Sequence, residues 1–154
     1  MSFSLTRKTD YALVALVRLA AEKDRDGGPL SARQLANEHG LPLHLLMNAL
    51  KELHRAGILC SRRGVSGGYY LCKDPTQTSL RQVIEALEGP VCVTLCNDEN
   101  DHASTTCQLV ETCPISEPIR GFNGLLNGFL SSIKLRDLMI AEHARNGQKV
   151  GVSV

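Results

Sequence analysis

Leu13, Leu16, Leu19 and Ala20 recur at helical spacing behind Thr6, a residue placed to cap a helix that runs to about residue 23. Asp26-Gly27-Gly28-Pro29 breaks that helix. Ser31 and Gln34 then form a capping box, and Leu35 and Ala36 supply the inner face of a short helix ending at Gly40. The turn Gly40-Leu41-Pro42 leads straight into a third helix, to about Ala56, with Leu43, Leu46, Leu50 and Leu53 as its buried stripe; Gly57 stops it. Two short helices joined by a glycine-containing turn predict a helix-turn-helix.

The pattern then shortens to strands. Ile58-Leu59-Cys60-Ser61 and Tyr69-Tyr70-Leu71-Cys72 predict a hairpin whose tip, Arg62 to Gly68, is glycine-rich and doubly basic. Directly after a helix-turn-helix, such a hairpin reads as a wing. Its glycines let the backbone approach a sugar-phosphate chain, and its arginines suit a minor groove or phosphates. An ordinary surface hairpin is the plainer alternative. Ser79 and Gln82 make a second capping box for a helix to about Glu88, ended by Gly89-Pro90.

Residues 91–113 show no sustained period and read as a loop, a length that is usually functional or disordered. Pro114 is expected in the first turn of the next helix. There Ile119, Phe122, Leu126, Phe129 and Ile133 alternate steps of three and four, the mark of a packing seam. Gly121, Gly124 and Gly128 adjoin it and permit close helix approach. Such a seam is more often intramolecular core than dimer interface, but a helix beyond a complete winged domain has little else to pack on, so here it predicts a dimer. Leu135, Leu138 and Met139 suggest a short final helix. The expected fold is mainly α with a small β-hairpin, organised as a winged helix-turn-helix DNA-binding domain (1–89), a cysteine-bearing loop (90–113), a dimerisation helix region (114–146) and a tail (147–154).

Charge sharpens the picture. The net charge of +1 hides a basic first half: residues 1–81 hold 12 Lys and Arg against 7 Asp and Glu, whereas residues 82–118 hold 7 acids and no Lys or Arg. A basic module beside an acidic one fits nucleic-acid binding, although solvated helix faces explain much of such a bias. No run of eighteen apolar residues predicts a membrane span, and the start of the chain lacks a signal-peptide pattern. The expected location is cytoplasmic, where thiols stay reduced.

Four of the six cysteines, Cys92, Cys96, Cys107 and Cys113, fall in the loop. Thiolates gathered on such a segment suit a soft metal centre. Spacing alone leaves an iron–sulfur cluster, a structural zinc, a metal-free thiol switch and a metal-free regulator all open. Cys60 and Cys72, on the wing strands, read as buried packing residues. No catalytic serine triad, phosphate loop, paired buried carboxylates or zinc-hydrolase motif is apparent, so no enzyme is expected. A winged-helix adaptor that has lost DNA binding is a further alternative, opposed by Arg62 and Arg63.

Five stretches carry a family resemblance: Thr9-Asp10-Tyr11-Ala12, the run from Leu53 to Leu59, Arg63 to Tyr69, Glu88-Gly89-Pro90, and Cys107 with Cys113-Pro114. In this order the chain resembles the Rrf-two family of bacterial winged-helix regulators over residues 3 to about 140. The family includes iron–sulfur cluster regulators and nitric-oxide-sensing repressors. The Gly40-Leu41-Pro42 turn and the Glu88-Gly89-Pro90 opening look most like the branch that regulates SUF cluster assembly.

The resemblance implies a homodimeric repressor that binds palindromic double-stranded operators and senses iron–sulfur status, redox state or nitric oxide through a 4Fe–4S or 2Fe–2S cluster. Cys96, Cys107 and Cys113 match the family's three cysteine ligands. The spacer between Cys96 and Cys107 is longer than in the cluster regulators, and Ser116 stands where those carry a histidine ligand. In the nitric-oxide sensors an aspartate after a threonine in the first helix completes the cluster across the dimer. Asp10 after Thr9 matches it and is the expected fourth ligand, with Cys92 and His102 as rivals. The expected DNA contacts are Arg7, Lys8, Pro42, His44, Asn48, Lys51, Arg62, Arg63, Gly64 and Ser66, with Asn suited to adenine and Lys to guanine or phosphate.

Overall fold

Local signals in the chain become real caps. In this computed structural model, which describes residues 5–93 and 112–139, α1 (Arg7–Asp24) starts at Thr6, whose hydroxyl accepts from the Thr9 amide. Both capping boxes form, Ser31 with Gln34 at α2 (Ala32–His39) and Ser79 with Gln82 at α4 (Leu80–Glu88). Each satisfies two helix-end amides that would otherwise lack partners. Gly40 closes α2 in the left-handed region at φ 63°, a conformation that costs a side-chain-bearing residue energy. The chain can therefore turn at once into α3 (Leu43–Arg55).

The core gathers the inner faces of α1, α2 and α3. Ala12, Ala15, Leu16, Leu35, Leu46, Ala49, Leu50 and Leu53 are fully buried in it. Each large aliphatic side chain taken from water contributes on the order of 1.5–3 kcal/mol, which holds the helix-turn-helix rigid from beneath. Leu43, expected in the same stripe, is only half-buried.

The hairpin is β1 (Leu59–Arg62) against β2 (Gly68–Leu71), antiparallel, with Leu59 opposite Leu71 and Arg62 opposite Gly68. The strands sit one residue from the expected frame on each side. A third backbone segment joins them: Leu30 and Tyr69 exchange hydrogen bonds of 3.0 and 2.8 Å. Gly68 makes that possible, because a Cβ there would lie 2.4 Å from the Leu30 carbonyl. Leu59 and Leu71 plug the hairpin's inner face into the core, leaving its tip outside.

α5 (Ser116–Ser132) begins two residues after Pro114, with Ile115 at the flanking position. Pro114 thus lies in the turn before the helix rather than in its first turn. The expected seam resolves into two stripes. Ile119, Leu126 and Ile133 are half-buried, whereas Phe122 and Phe129 are 52% and 62% exposed. Only Leu130 of the helix is buried. Its end is nevertheless well anchored: Leu80 donates to the Ile133 carbonyl and Leu135 to the Thr78 carbonyl, both at 2.9 Å. Residues 135–139 are helical and carry Leu135 and Met139 into the core, and Arg136 pairs with Asp24.

Candidate nucleic-acid interface and cysteine site

Burying one face of α3 decides what the other presents. With Leu46, Ala49, Leu50 and Leu53 inward, His44, Met47, Asn48 and Lys51 point to solvent. No side chain caps the first turn of α3, because Pro42 occupies the capping position. That leaves amides and the positive end of the helix dipole open toward a phosphate. At the wing tip Arg62, Arg63, Gly64, Val65 and Ser66 are all exposed, and Gly67 donates to the Gly64 carbonyl at 3.0 Å to close the turn. Met47 adds an exposed apolar group of the kind that meets a thymine methyl.

Arg7 is exposed at the start of α1, but its neighbour differs from expectation. The Lys8 ammonium donates to Glu52 at 2.7 Å and to the Leu87 carbonyl at 2.6 Å. It ties α1 to α3 and to the last turn of α4. Lys8 is thus engaged inside the domain, where both a carboxylate and a helix C-terminus neutralise it.

A second node sits beside it and escaped the sequence reading. Glu88 Oε1 accepts from the Thr6 amide at 2.8 Å, the Thr6 hydroxyl at 2.9 Å and the Thr9 hydroxyl at 2.5 Å. Burial works against the Glu88 charge, but the hydrogen bonds from Thr9 and Thr6 and the nearby Lys8 ammonium outweigh it. They hold this carboxyl below the usual carboxylate range. Thr9 is fully buried by this arrangement, and the next residue, Asp10, is left exposed. The helix that carries Asp10 is thereby fastened to the residue that opens the cysteine segment.

That segment is held at both of its described ends. Asn127 donates to the Val91 carbonyl at 3.0 Å, and the Val93 amide donates to Asn123 Oδ1 at 3.2 Å, so α5 grips the backbone on either side of half-buried Cys92. At the far end the Cys113 carbonyl accepts from the Ser116 hydroxyl at 3.2 Å, and the Cys113 thiol is half-buried. Cys96, Cys107 and His102 lie outside the described residues. Among the described residues no three His, Cys, Asp or Glu side chains gather closely enough to hold a metal ion. Of the four expected ligands, then, Cys113 and Asp10 lie among the described residues.

Cys60 and Cys72 require a correction. They form a disulfide, with Cα atoms 5.2 Å apart, rather than two reduced packing residues. The register accounts for it. Cys60 faces Tyr70 and Leu59 faces Leu71, so Cys72, one residue beyond β2, comes diagonally across from Cys60 at the base of the wing.

A sequence profile of the Rrf2 family, described as an iron-dependent transcriptional regulator, matches residues 5–141. The HTH-type transcriptional regulator IscR of Cronobacter sakazakii is 30% identical over 135 residues, which cover 88% of this chain and 79% of that protein. An rrf2-like HTH-type transcriptional regulator of Rhodobacter capsulatus is 38% identical over 93 residues, 60% of this chain; the match spans only 62% of that relative. Among solved structures, CymR, the global cysteine regulator of B. subtilis, superposes with a TM-score of 0.67 at 26% identity, over 91% of this chain and 98% of that one. IscR of T. potens shares the fold, with a TM-score of 0.63 at 23% identity over 100% of this chain and 95% of that one.

Proposed function

The chain belongs to the Rrf2 family and is a DNA-binding transcriptional regulator rather than an enzyme, and from that premise we propose a dimeric repressor whose grip on its operator answers to an iron–sulfur cluster held by the cysteine segment. The observation that carries the sensing part is the Thr6–Thr9–Glu88 node, which fastens the helix bearing Asp10 to the root of that segment. Order in the segment is thus linked mechanically to α1, and through Lys8 and Glu52 to the recognition helix α3. That an iron-dependent description attaches to the family, and that IscR is among the relatives, agrees with this reading.

The donor set fits such a group. Three thiols from Cys96, Cys107 and Cys113 with one carboxylate, Asp10 of the partner subunit, make a thiolate-rich site with one hard, weaker ligand. Cys113 and Asp10 both present side chains with no hydrogen-bond partner among the described residues. When bound, the cluster supplies a centre whose iron reacts with oxidants and nitric oxide. The protein's own part is to hold the segment's ends through Asn123, Asn127 and Ser116.

Dimerisation rests on α5. Ile115, Phe122 and Phe129 recur every seven residues, with Leu125 between the last two, and are 57%, 52%, 62% and 76% exposed. This is the spacing of a helix–helix seam. Pairing two chains there would set two α3 helices on one DNA duplex, as a palindromic operator requires. His44, Asn48 and Lys51 then face the major groove, Pro42 leaves the α3 amides open to a phosphate, and Arg7, Arg62, Arg63, Gly64 and Ser66 serve the backbone and minor groove. Among the described residues no helix is long and apolar enough to cross a membrane. The proposed work on DNA supports a cytoplasmic location.

Operator selection from genomic fragments, followed by titration of the selected and a scrambled duplex, tests the DNA reading. A preference of at least about 1,000-fold for the selected duplex is expected. It should fall sharply in Asn48→Ala and Lys51→Ala. Equal binding to both duplexes would overturn it.

A further inference from the structure

The base of the wing holds a chemical group that the cluster reading does not use. We propose that Cys60 and Cys72 are a reversible dithiol–disulfide site for low-molecular-weight thiols, and that its state sets the order of the wing tip and hence the affinity for DNA. The second half of this statement rests on the operator reading above; the first does not.

Four observations converge. The bond encloses Arg62, Arg63, Gly64 and Ser66 within a sequence separation of 12, so the basic tip is the part it constrains. The fold does not need it: Leu59 and Leu71 are buried, the ladder has four pairs, and Leu30 bonds to Tyr69 from the other side. Both cysteines are only half-buried. Finally, Cys72 lines a cavity of about 520 Å³ whose walls also carry Lys23, Arg62 and Tyr70 together with Glu22 and Asp26, so its charge is mixed. Among the described residues the Arg62 side chain makes no hydrogen bond or ion pair, whereas the Lys23 ammonium donates to the Leu71 and Lys73 carbonyls flanking Cys72. A small thiol that enters this cavity meets the Cys72 sulfur at its wall, among charges of both signs. A disulfide in a protein that works on DNA also stands in a reducing compartment, where persistent structural disulfides are uncommon and exchangeable ones are the rule.

The exchange balances. A small thiolate attacks Cys72 Sγ, the Cys60–Cys72 bond breaks, and Cys60 leaves as a thiolate that takes a proton from water. A second small thiolate then attacks the sulfur of the bound small thiol and releases the Cys72 thiolate, which is protonated in turn. Two small thiols have lost two electrons and two protons to form their own disulfide, and the two cysteines have gained them. A low-molecular-weight disulfide runs the sequence backwards and closes the wing again.

Closing it orders the tip before DNA arrives, which removes part of the ordering entropy from the binding step. The oxidised protein should therefore bind its operator about three- to tenfold more tightly than the dithiol form.

The full chain, equilibrated over a range of glutathione to glutathione disulfide ratios, would be alkylated, digested and mapped by mass. The same samples would be titrated with operator. The expected result is a linked Cys60–Cys72 peptide that disappears in one two-electron transition. A glutathione adduct should also be trapped on Cys72 in Cys60→Ser. The wild-type affinity should shift across that transition, and Cys60→Ser/Cys72→Ser should lack this shift while keeping whatever the loop cysteines contribute to both proteins. Absence of the linked peptide at every ratio would overturn the site. Identical redox dependence of affinity in the two proteins would overturn the coupling. A clear transition in protein that binds no operator would refute the operator reading and leave the thiol site standing.

Discussion

Replacing Lys8 with Met keeps the aliphatic stem and removes the ammonium that joins three helices. The loss comprises an ion pair to Glu52 at 2.7 Å and a charged hydrogen bond to the Leu87 carbonyl at 2.6 Å. The two side chains of the pair are 27% and 32% exposed, so the pair is worth little more than a surface one, about 0.5–1 kcal/mol. The bond to the last turn of α4 adds about 0.5–1 kcal/mol through the carbonyl and the helix dipole. Lys8→Met should therefore destabilise the chain by about 1–2 kcal/mol. For a protein of this size that is a fall of roughly 2–8 °C in Tm. The assay is urea and thermal unfolding at low and high salt, with operator affinity measured across the same salt range. The deficit should shrink as salt screens the pair. The slope of log affinity against log salt should stay unchanged, because no phosphate contact has been lost. A phosphate contact would instead remove about 0.9 from that slope per site, about 1.8 for two copies on one operator. Unaltered unfolding with such a drop in slope would refute the tether and restore Lys8 to the DNA.

Gly68→Ala should force the Leu30 carbonyl away from the wing, costing on the order of 1–3 kcal/mol and exposing the Tyr69 amide to hydrogen exchange, whereas Gly28→Ala, with open space around it, serves as the tolerated control. Phe129→Glu should weaken self-association at least about tenfold in sedimentation, since it places a charge on the exposed stripe of α5; an unchanged dimer would show that association lies elsewhere. Acid sensitivity should report the Glu88 node. Its carboxyl is depressed in the folded chain, so its contribution is present above the unfolded carboxylate value of about 4.3 and is lost as pH falls through the folded value. Thr9→Val should flatten that acid-side loss in urea midpoints taken between about pH 7 and pH 3, and equal pH profiles would dismiss the node's role.

Where the sequence was legible, the reason is that the interaction is local. Ser31 with Gln34 and Ser79 with Gln82 close their boxes three residues apart, and the Leu46, Leu50, Leu53 stripe follows from helical period alone. The same period correctly turned His44, Asn48 and Lys51 outward. The Lys8 tether could not be read, because a lysine near a helix start looks identical whether it faces a phosphate or a carboxylate 44 residues away. Glu88 was quoted as part of a motif, but its partners lie 79 and 82 residues earlier, and nothing in a linear pattern announces them. The Leu30–Tyr69 bridge is one pair long and leaves no alternation to read. The seam on α5 was found as a period yet split between a face toward α4 and a face toward solvent, a division that only packing makes. Cys60 and Cys72 were placed on the wing strands and read as packing residues, because a linear pattern does not give the register that sets them diagonally across from one another.

The central claim is a cluster on the cysteine segment, and anaerobic purification followed by visible absorption, with iron, sulfide and zinc assayed on the same sample, meets it most directly. The account predicts a brown protein containing iron and sulfide, its colour lost in Cys107→Ala and its spectrum altered in Asp10→Ala. A colourless chain that carries zinc, or that takes up no metal even after cluster reconstitution, would contradict it.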